Sequence, residues 1–556
     1  MCRRSHRVMI NHLAPCLIAA PHTLSPERST MTNSLFEQRF SRRTLLRSGL
    51  LLGAGLTLGS AAGCATPTGT PGPRTVSLAL NRSLVSLDNK LNQFDAALTV
   101  QRGVRQALTE IDRNLRPQLV LADRFELVSP TQWYVHLRPG IRYSDGSPVQ
   151  VRDVATALQM YSQVDGSFVG GFFPEWPTVD QIDDTSFTLN TERPVPVLDY
   201  LMSNILITPA AANVPEELQS GVGSGPYVVT ESDRGTGNYT LVRNENYWGT
   251  PAQIESVRVR FVPDESNRVV TLRSGEVDVI DSITPDAADQ LAGLSGVAID
   301  RIDGVRLNQL FFNFRKPQGH PLADARVRRA LTYAIDGRAL VDQVLQGSAT
   351  QSRGVIPLTL DGAVETGEYS YDPARARGEL DALGIRDLEL KIIWETGEFA
   401  ADTDIMESVL QMLSAVGVRT TLQQFEPGGD ISQWRQGKVG DWDVLGNGFP
   451  SPTGLALTIM QGMYAGTAEK EATRDTYHGY IFPEITRTIT QASEEADAVR
   501  RAELLADAQR QIWDTCPCLW AFVPKAVLAR RSRIDGVALR PTNSYDLSVA
   551  ALRAQT

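Results

Sequence analysis

Cysteine and histidine would carry redox, soft-metal or nucleophilic chemistry, and both are scarce in this chain. The five cysteines are Cys2, Cys16, Cys64 and the close pair Cys516/Cys518. A bridge across one intervening residue closes a strained ring. The pair could serve as a redox or soft-metal site, but the run CLWAFV from Cys518 reads better as a core strand holding small buried hydrophobes. After the first 63 residues only His136, His320 and His478 remain, without partners at helical spacing, and HExxH is absent. Gly221-Val222-Gly223-Ser224-Gly225-Pro226 fails both GxSxG and GxGxxG and precedes the strand-like Tyr227-Val228-Val229, so it reads as a tight turn. Gly437-Lys438 lacks the Ser/Thr and the upstream Gly of a phosphate loop. Carboxylates are plentiful but scattered. No catalytic residue, metal site or cofactor is expected.

Cys64 belongs to a different chemistry. Residues 41–64 read SRRTLLRSGLLLGAGLTLGSAAGC, a basic stretch, then an uncharged run from Ser48 to Gly63, then the cysteine. That run falls short of the ~20 apolar residues that span a bilayer, so an export signal is expected over residues 1–63. Arg42-Arg43 resembles a twin-arginine motif. Ala61-Ala62-Gly63-Cys64 resembles a lipobox, whose thiol is lipidated, although Ala61 stands where Leu is usual. Two or more acyl chains, at ~0.8 kcal/mol per buried CH₂, would hold the protein on a membrane. Met31 starts a leader of ordinary length, so residues 1–30 read as a misassigned start. Residues 64–73 form a flexible Thr/Pro/Gly tether.

The rest of the 556 residues must supply folded scaffolding. At 42% hydrophobic and 21% charged the chain is globular, with length enough for two to four domains. Removing residues 1–63, with eight Arg and two Glu, leaves 46 basic against 62 acidic residues, a charge of −16. So acidic a body is a poor partner for nucleic acid. Period-two patterns predict strands at Val76-Leu78-Leu80, Trp133-Val135-Leu137 and Val257-Val259-Phe261. Helical spacing predicts one helix from Asp324, as N-cap, to Leu345, and another over Glu495–Trp513. Leu388–Trp394, Ala401–Gly417 and Val418–Leu422 read as strand, helix and strand, so the two strands should be parallel. Ligands of open α/β sheets gather beyond the carboxyl ends of strands. The loop Trp394-Glu395-Thr396-Gly397-Glu398 is therefore a binding-loop candidate, with a solvated connector as the equal alternative.

Several segments together resemble the extracellular solute-binding proteins of peptide- and nickel-type ABC importers, family 5. They are LRPGIRYSDGSPVQVRDV (137–154), GSGPYVV (223–229), LVRNENYWG (241–249), LRSGEVDVI (272–280) and FFNFRKPQGHPLADARVRRALTYAID (311–336). The resemblance implies an α/β, two-lobed periplasmic-binding-protein-like fold of the large class, hinged by two chain crossings near Val305–Asn313 and Cys516–Val523. Lobe one would be 74–305 plus 520–556, with an extra subdomain at about 110–210, and lobe two 306–519. The implied protein is a monomeric, exported, lipid-anchored substrate-binding component, at the outer face of the cell membrane or in the periplasm. Its partners would be a small-molecule or peptide ligand, a permease and an ATPase.

Peptide-binding members often place an Asp in lobe two against the peptide ammonium. The comparable segment here, Gly446-Asn447-Gly448-Phe449, has no acid, while Asp441 and Asp443 precede it. Asn447 can accept a hydrogen bond but cannot neutralise an ammonium, which weakens recognition of a free peptide terminus. The expected site uses Trp394 and Phe449 as apolar walls and Asn313 and Asn447 as polar anchors. Phe311, Phe312 and Phe314 read as core. Oligo- or dipeptide is the leading ligand. The alternatives are a metal chelate, haem or sugar ligand, a surface sensor, or a secreted enzyme, for which no nucleophile–base pair is found.

Overall fold

A computed structural model describes residues 74–553, apart from 84–86, 89, 91–94, 165–168, 213–220, 234, 428 and 467–477. Arg42, Arg43 and Cys64, the expected leader and the whole of the tether lie outside the described residues.

The period-two runs form strands as their spacing demands. Three of them are β1 (Thr75–Leu80), β5 (Gln132–Leu137) and β10 (Ser256–Phe261). One branch of the main sheet runs β8 (Tyr227–Asp233), β9 (Asn238–Arg243), β10, β1, β11 (Val279–Asp281), β18 (Cys518–Arg531). β1 is parallel to both its neighbours. The other branch leaves the same β18 and runs β13 (Leu307–Phe312), β17 (Val444–Phe449), β15 (Glu389–Glu395), β16 (Arg419–Phe425). A separate antiparallel sheet holds β4 (Ala122–Ser129), β5, β7 (Ser186–Asn190) and β6 (Thr178–Gln181).

The two branches meet where two antiparallel chain segments change partners. The second half of β18 pairs with β12 (Val297–Asp303), from Val297 opposite Arg531 to Asp303 opposite Lys525. Its first half pairs with β13, from Asn308 opposite Phe522 to Phe311 opposite Cys518. The changeover falls at residues 304–307 on one segment and 523–524 on the other. A Cβ on Gly304 would lie 2.3 Å from the Pro524 carbonyl oxygen, so only glycine lets the segments approach so closely.

The strand–helix–strand reading holds. β15 and β16 are parallel and joined by helix α1 (Asp402–Ala415), after which Gly417 takes φ +87°. α1 buries Ile405, Val409 and Leu413 on the sheet. Helix α2 (Ala456–Met463) follows β17, and α3 (Ala498–Asp514) matches the second predicted helix, N-capped by Asp497. The long helix predicted from Asp324 is broken. Asp324 caps as expected, but the α-helix covers only Ala325–Thr332. A turn follows, Asp336 accepts from the Ala339 N–H, and Leu340–Val344 is π-helical. Gly337 opens the helical turn beyond the break, where Gln351 Oε1 and Trp520 Nε1 fill the space a side chain would need.

Phe311 and Phe312 are buried in the core and Phe314 packs against it. Cys516 and Cys518 are free, buried thiols. Burial pushes Cys516 up to about 11 and raises Cys518 as well. The Tyr369 hydroxyl lies 2.9 Å from the Cys518 sulfur.

Candidate functional site

β13 is antiparallel to β17, and β15 is parallel to it. The carboxyl ends of β15 and β17 therefore lie beside the start of β13, next to the changeover between the two branches. Loops from both strands meet there. The loop after β15 is fastened at its base, where Thr396 N–H donates to the Phe425 carbonyl and Gly397 N–H to Asp402 Oδ2 (both about 2.6–2.8 Å). This fixes Glu398, whose Oε1 accepts from the Gly448 N–H at 3.0 Å. The same oxygen pairs with the Arg306 guanidinium, which comes from the changeover itself. Arg306 Nε also donates to Asn308 Oδ1 at 3.0 Å.

Gly448 makes this convergence possible. A Cβ there would lie 2.1 Å from Asn308 Oδ1 and 2.6 Å from Arg306 Nε. Gly446, two residues earlier and so on the same face of β17, sits against Trp394, Leu310 and Met406 of α1. The space that side chains at these two positions would take is filled by Met406 and Trp394 at Gly446 and by Asn308 and Arg306 at Gly448.

Two buried donors on this face of the sheet, Asn308 Nδ2 opposite Gly448 and Trp394 Nε1 opposite Gly446, have no acceptor. Buried polar groups without partners are rare and cost about 1–3 kcal/mol each.

The four residues expected to form the site do not all meet. Trp394 is buried at 3% exposure on a strand flanked on both sides, with its ring on the α1 face. Asn447 and Phe449 point to the opposite face. Asn447 is buried and its Oδ1 accepts from Gly448 N–H at 2.7 Å, while the half-buried Phe449 ring lies over Gly462 of α2. Asn313 is at the other end of the sheet, beyond the carboxyl end of β13 and therefore beside the amino end of β17. Its Nδ2 donates to the Trp442 carbonyl at 2.8 Å and its Oδ1 accepts from Arg315 N–H at 3.0 Å. Asn308, Arg306 and Gly448 were missed because only the non-local pairing of β13 with β17 brings them to the binding loop.

The strand pair β2 (Thr109–Ile111) and β3 (Pro117–Leu119) faces this end of the sheet. Leu115, between them, packs on Gly454, in the loop after β17. Asp361, whose backbone bonds Gly454 and Ala456, accepts from Arg116 at 2.8 Å and from the Tyr200 hydroxyl at 3.0 Å. Arg193 lies 3.5 Å from Glu494. These contacts join the small antiparallel sheet and its neighbours to the β13–β17 branch.

Among the described residues no cluster of three or more His, Cys, Asp or Glu could hold a metal ion. No helix among them is long and apolar enough to cross a membrane.

Residues 116–471 match the model of the bacterial extracellular solute-binding proteins, family 5 Middle. The glutathione-binding protein GsiB of Pectobacterium atrosepticum is 24% identical over 487 residues, 85% of this chain and 93% of that protein. The probable D,D-dipeptide-binding periplasmic protein DdpA of Escherichia coli is 23% identical over 422 residues, 74% of this chain and 80% of that protein. In structure, the ABC transporter substrate-binding protein CtaP of Listeria monocytogenes superposes with a TM-score of 0.76 at 20% identity, covering 86% of this chain and 99% of CtaP. That likeness carries the fold, which is mixed α/β and two-lobed.

Proposed function

We propose a ligand class and a working cycle from one premise: the chain belongs to the bacterial extracellular solute-binding proteins, family 5. As such it is the substrate-binding component of an ABC importer and not an enzyme; it takes up a small solute and passes it on unchanged to a membrane permease. The solute in our reading is a short peptide or peptide-like compound, the class named for the glutathione- and dipeptide-binding relatives. One observation carries the placement of the site. The loops after β15 and β17 meet through Glu398 and Gly448 beside the segments that join the two branches.

Lobe one in this reading is 74–305 with 520–556, including the extra subdomain at about 110–210, and lobe two is 306–519. Asn447 and Phe449 line the ligand, with Trp394 behind them as a packed wall. Asn313, at the far end of β13, is left out of the contact set. A ligand touching both lobes favours the closed form by the difference of its affinities for the two forms, and the permease reads that form. The contacts of Arg116 and Tyr200 with Asp361 belong to closure. Arg42-Arg43 directs export, Cys64 carries a lipid anchor, and a monomer works with a permease and an ATPase.

Small-angle scattering with a panel of di- and tripeptides tests the cycle. A peptide that binds should shrink the radius of gyration; dimensions indifferent to every peptide would overturn the peptide reading. Cys64→Ala should release the protein from membranes, and firm attachment after that change would remove the anchor.

A further inference from the structure

Two arginines near the end of the helix Asp95–Val104 are buried, and the fold treats them differently. Arg105 lays its guanidinium on the carbonyls of Leu87 and Val222. Arg102 keeps only 9% of its side-chain surface, yet its Nε has no partner and its Nη1 reaches Glu110 Oε1 only at 3.7 Å. Arg540 Nη2 already holds that same oxygen at 2.6 Å. Two buried guanidiniums thus share one carboxylate oxygen, and Arg102 has the weaker hold. A buried cation short of acceptors is costly, and desolvation accordingly lowers the Arg102 pKa from its ordinary value.

Arg102, Arg540 and Glu110 line a cavity of about 80 Å³ between this helix, β2 and residues 540–548. With about 30 Å³ for each water molecule, the space takes two or three waters or one small organic ion. The sheet adds Leu78, Leu241 and Val257 to its lining. The charged side chains around it are Arg102, Arg105 and Arg540 against Glu110 and Asp546, three positive and two negative, which leaves one positive charge over. Asp88, close to Arg105, is taken up by Lys90 at 3.1 Å. Glu110 and Arg540 also line an outer groove of about 570 Å³ beside β12. Their ion pair is the wall between groove and cavity, and a small ion passes when it parts.

Water can fill the cavity but leaves its charge unbalanced, and a dianion would reverse it. A single negative charge cancels it. A carboxylate matches the flat donor fork of a guanidinium, and a short alkyl end suits the strand side chains. We propose that the cavity is a second binding site, apart from the meeting of the β15 and β17 loops, for a monocarboxylate of acetate or propionate size. Its carboxylate rests on Arg102 and its alkyl end on Leu78, Leu241 and Val257. The bound ion balances the buried charge and stabilises this branch of the sheet, whatever solute the protein carries.

Thermal melts and calorimetry on the full chain, dialysed free of small carboxylates, test this with acetate, propionate, hexanoate and chloride at equal ionic strength. Acetate and propionate should raise the melting temperature saturably. Hexanoate, too long for the space, should do no more than chloride. Arg102→Gln should abolish the rise. Glu110→Gln removes the competing carboxylate and should tighten acetate binding at least tenfold, a gain that a merely damaged fold cannot give. Acetate no better than chloride would mean a water-filled cavity and overturn the site. So would hexanoate matching acetate, a rise that survives Arg102→Gln, or an affinity that Glu110→Gln leaves unchanged or lowers. None of these outcomes touches the peptide reading, which scattering with peptides decides.

Discussion

The two ends of β17 are built from similar residues and solve opposite problems. At its amino end, Asn313 satisfies both ends of its amide on backbone, and Lys316 Nζ lies 2.8 Å from both Asp441 and Asp443. Asp443 in turn accepts from Lys391 N–H at 2.8 Å, tying β15 to β17. Those polar groups bind each other. At the carboxyl end, Arg306 and Glu398 are paired but partly open, and Asn308 and Trp394 keep unpartnered donors. Asparagine and an ion pair occur at both ends, so residue type does not separate them; exposure does, the Lys316–Asp443 pair keeping 6% and 10% of its side-chain surface and the Arg306–Glu398 pair 34% and 18%.

The largest effect should come from a side chain placed at Gly448. Gly448→Val puts a branched side chain where Arg306 and Asn308 now lie. It should cost about 1–3 kcal/mol of stability by overpacking and weaken peptide binding at least tenfold, read by thermal melts and calorimetry. Asn313→Ala attacks the closed end and strands a carbonyl and an N–H, costing about 1–3 kcal/mol. Peptide affinity should stay within twofold, and a tenfold loss would return Asn313 to the ligand.

His478 sharpens the contrast through pH. It is buried, stacked on Phe311 with ring centroids 4.5 Å apart, and neither ring nitrogen has a partner. Burial, with Arg315 nearby, lowers it from 6.5 to about 3. The unfolded chain therefore binds a proton below pH 6.5 that the fold refuses until about pH 3. Its contribution to stability is intact above the unfolded value and lost as pH falls, by about 2 kcal/mol at pH 5. Denaturation curves should show this acid-side loss, and His478→Phe should flatten it with ligand affinity unchanged at neutral pH. The smallest effect belongs to Arg116→Ala. Its side chain is 58% exposed, so losing the pair with Asp361 should cost about 0–1 kcal/mol. Any change in the compact fraction should be visible by scattering only near half-saturation with ligand.

Local patterns were legible in the sequence where a single stretch of chain carries the signal. The period-two strands, the parallel β15–α1–β16 unit and the caps at Asp324 and Gly417 are of that kind. Asn313 was misplaced for a topological reason. β13 runs against β17, so a residue after the end of one strand lies before the start of the other. Trp394 was read as a wall because it stands at the carboxyl end of a strand, yet neighbouring strands on both sides bury it. Arg306, Asn308, Glu398 and Gly448 span more than a hundred residues and become one site only through strand pairing. The need for glycine at 337 has the same origin, since the side chains that crowd it come from Gln351 and Trp520.

The strand Cys518–Arg531 belongs to both branches of the main sheet, and its central Pro524 carries no amide hydrogen to tie it to a neighbour. The molecule therefore has no seam at which it could be cut into two working pieces. Any split that gives one lobe this strand leaves the other with a raw, uncovered edge. Genetic exchange of whole lobes between relatives would have to carry the C-terminal segment along, so new ligand preferences are more cheaply reached by changing loops than by swapping halves.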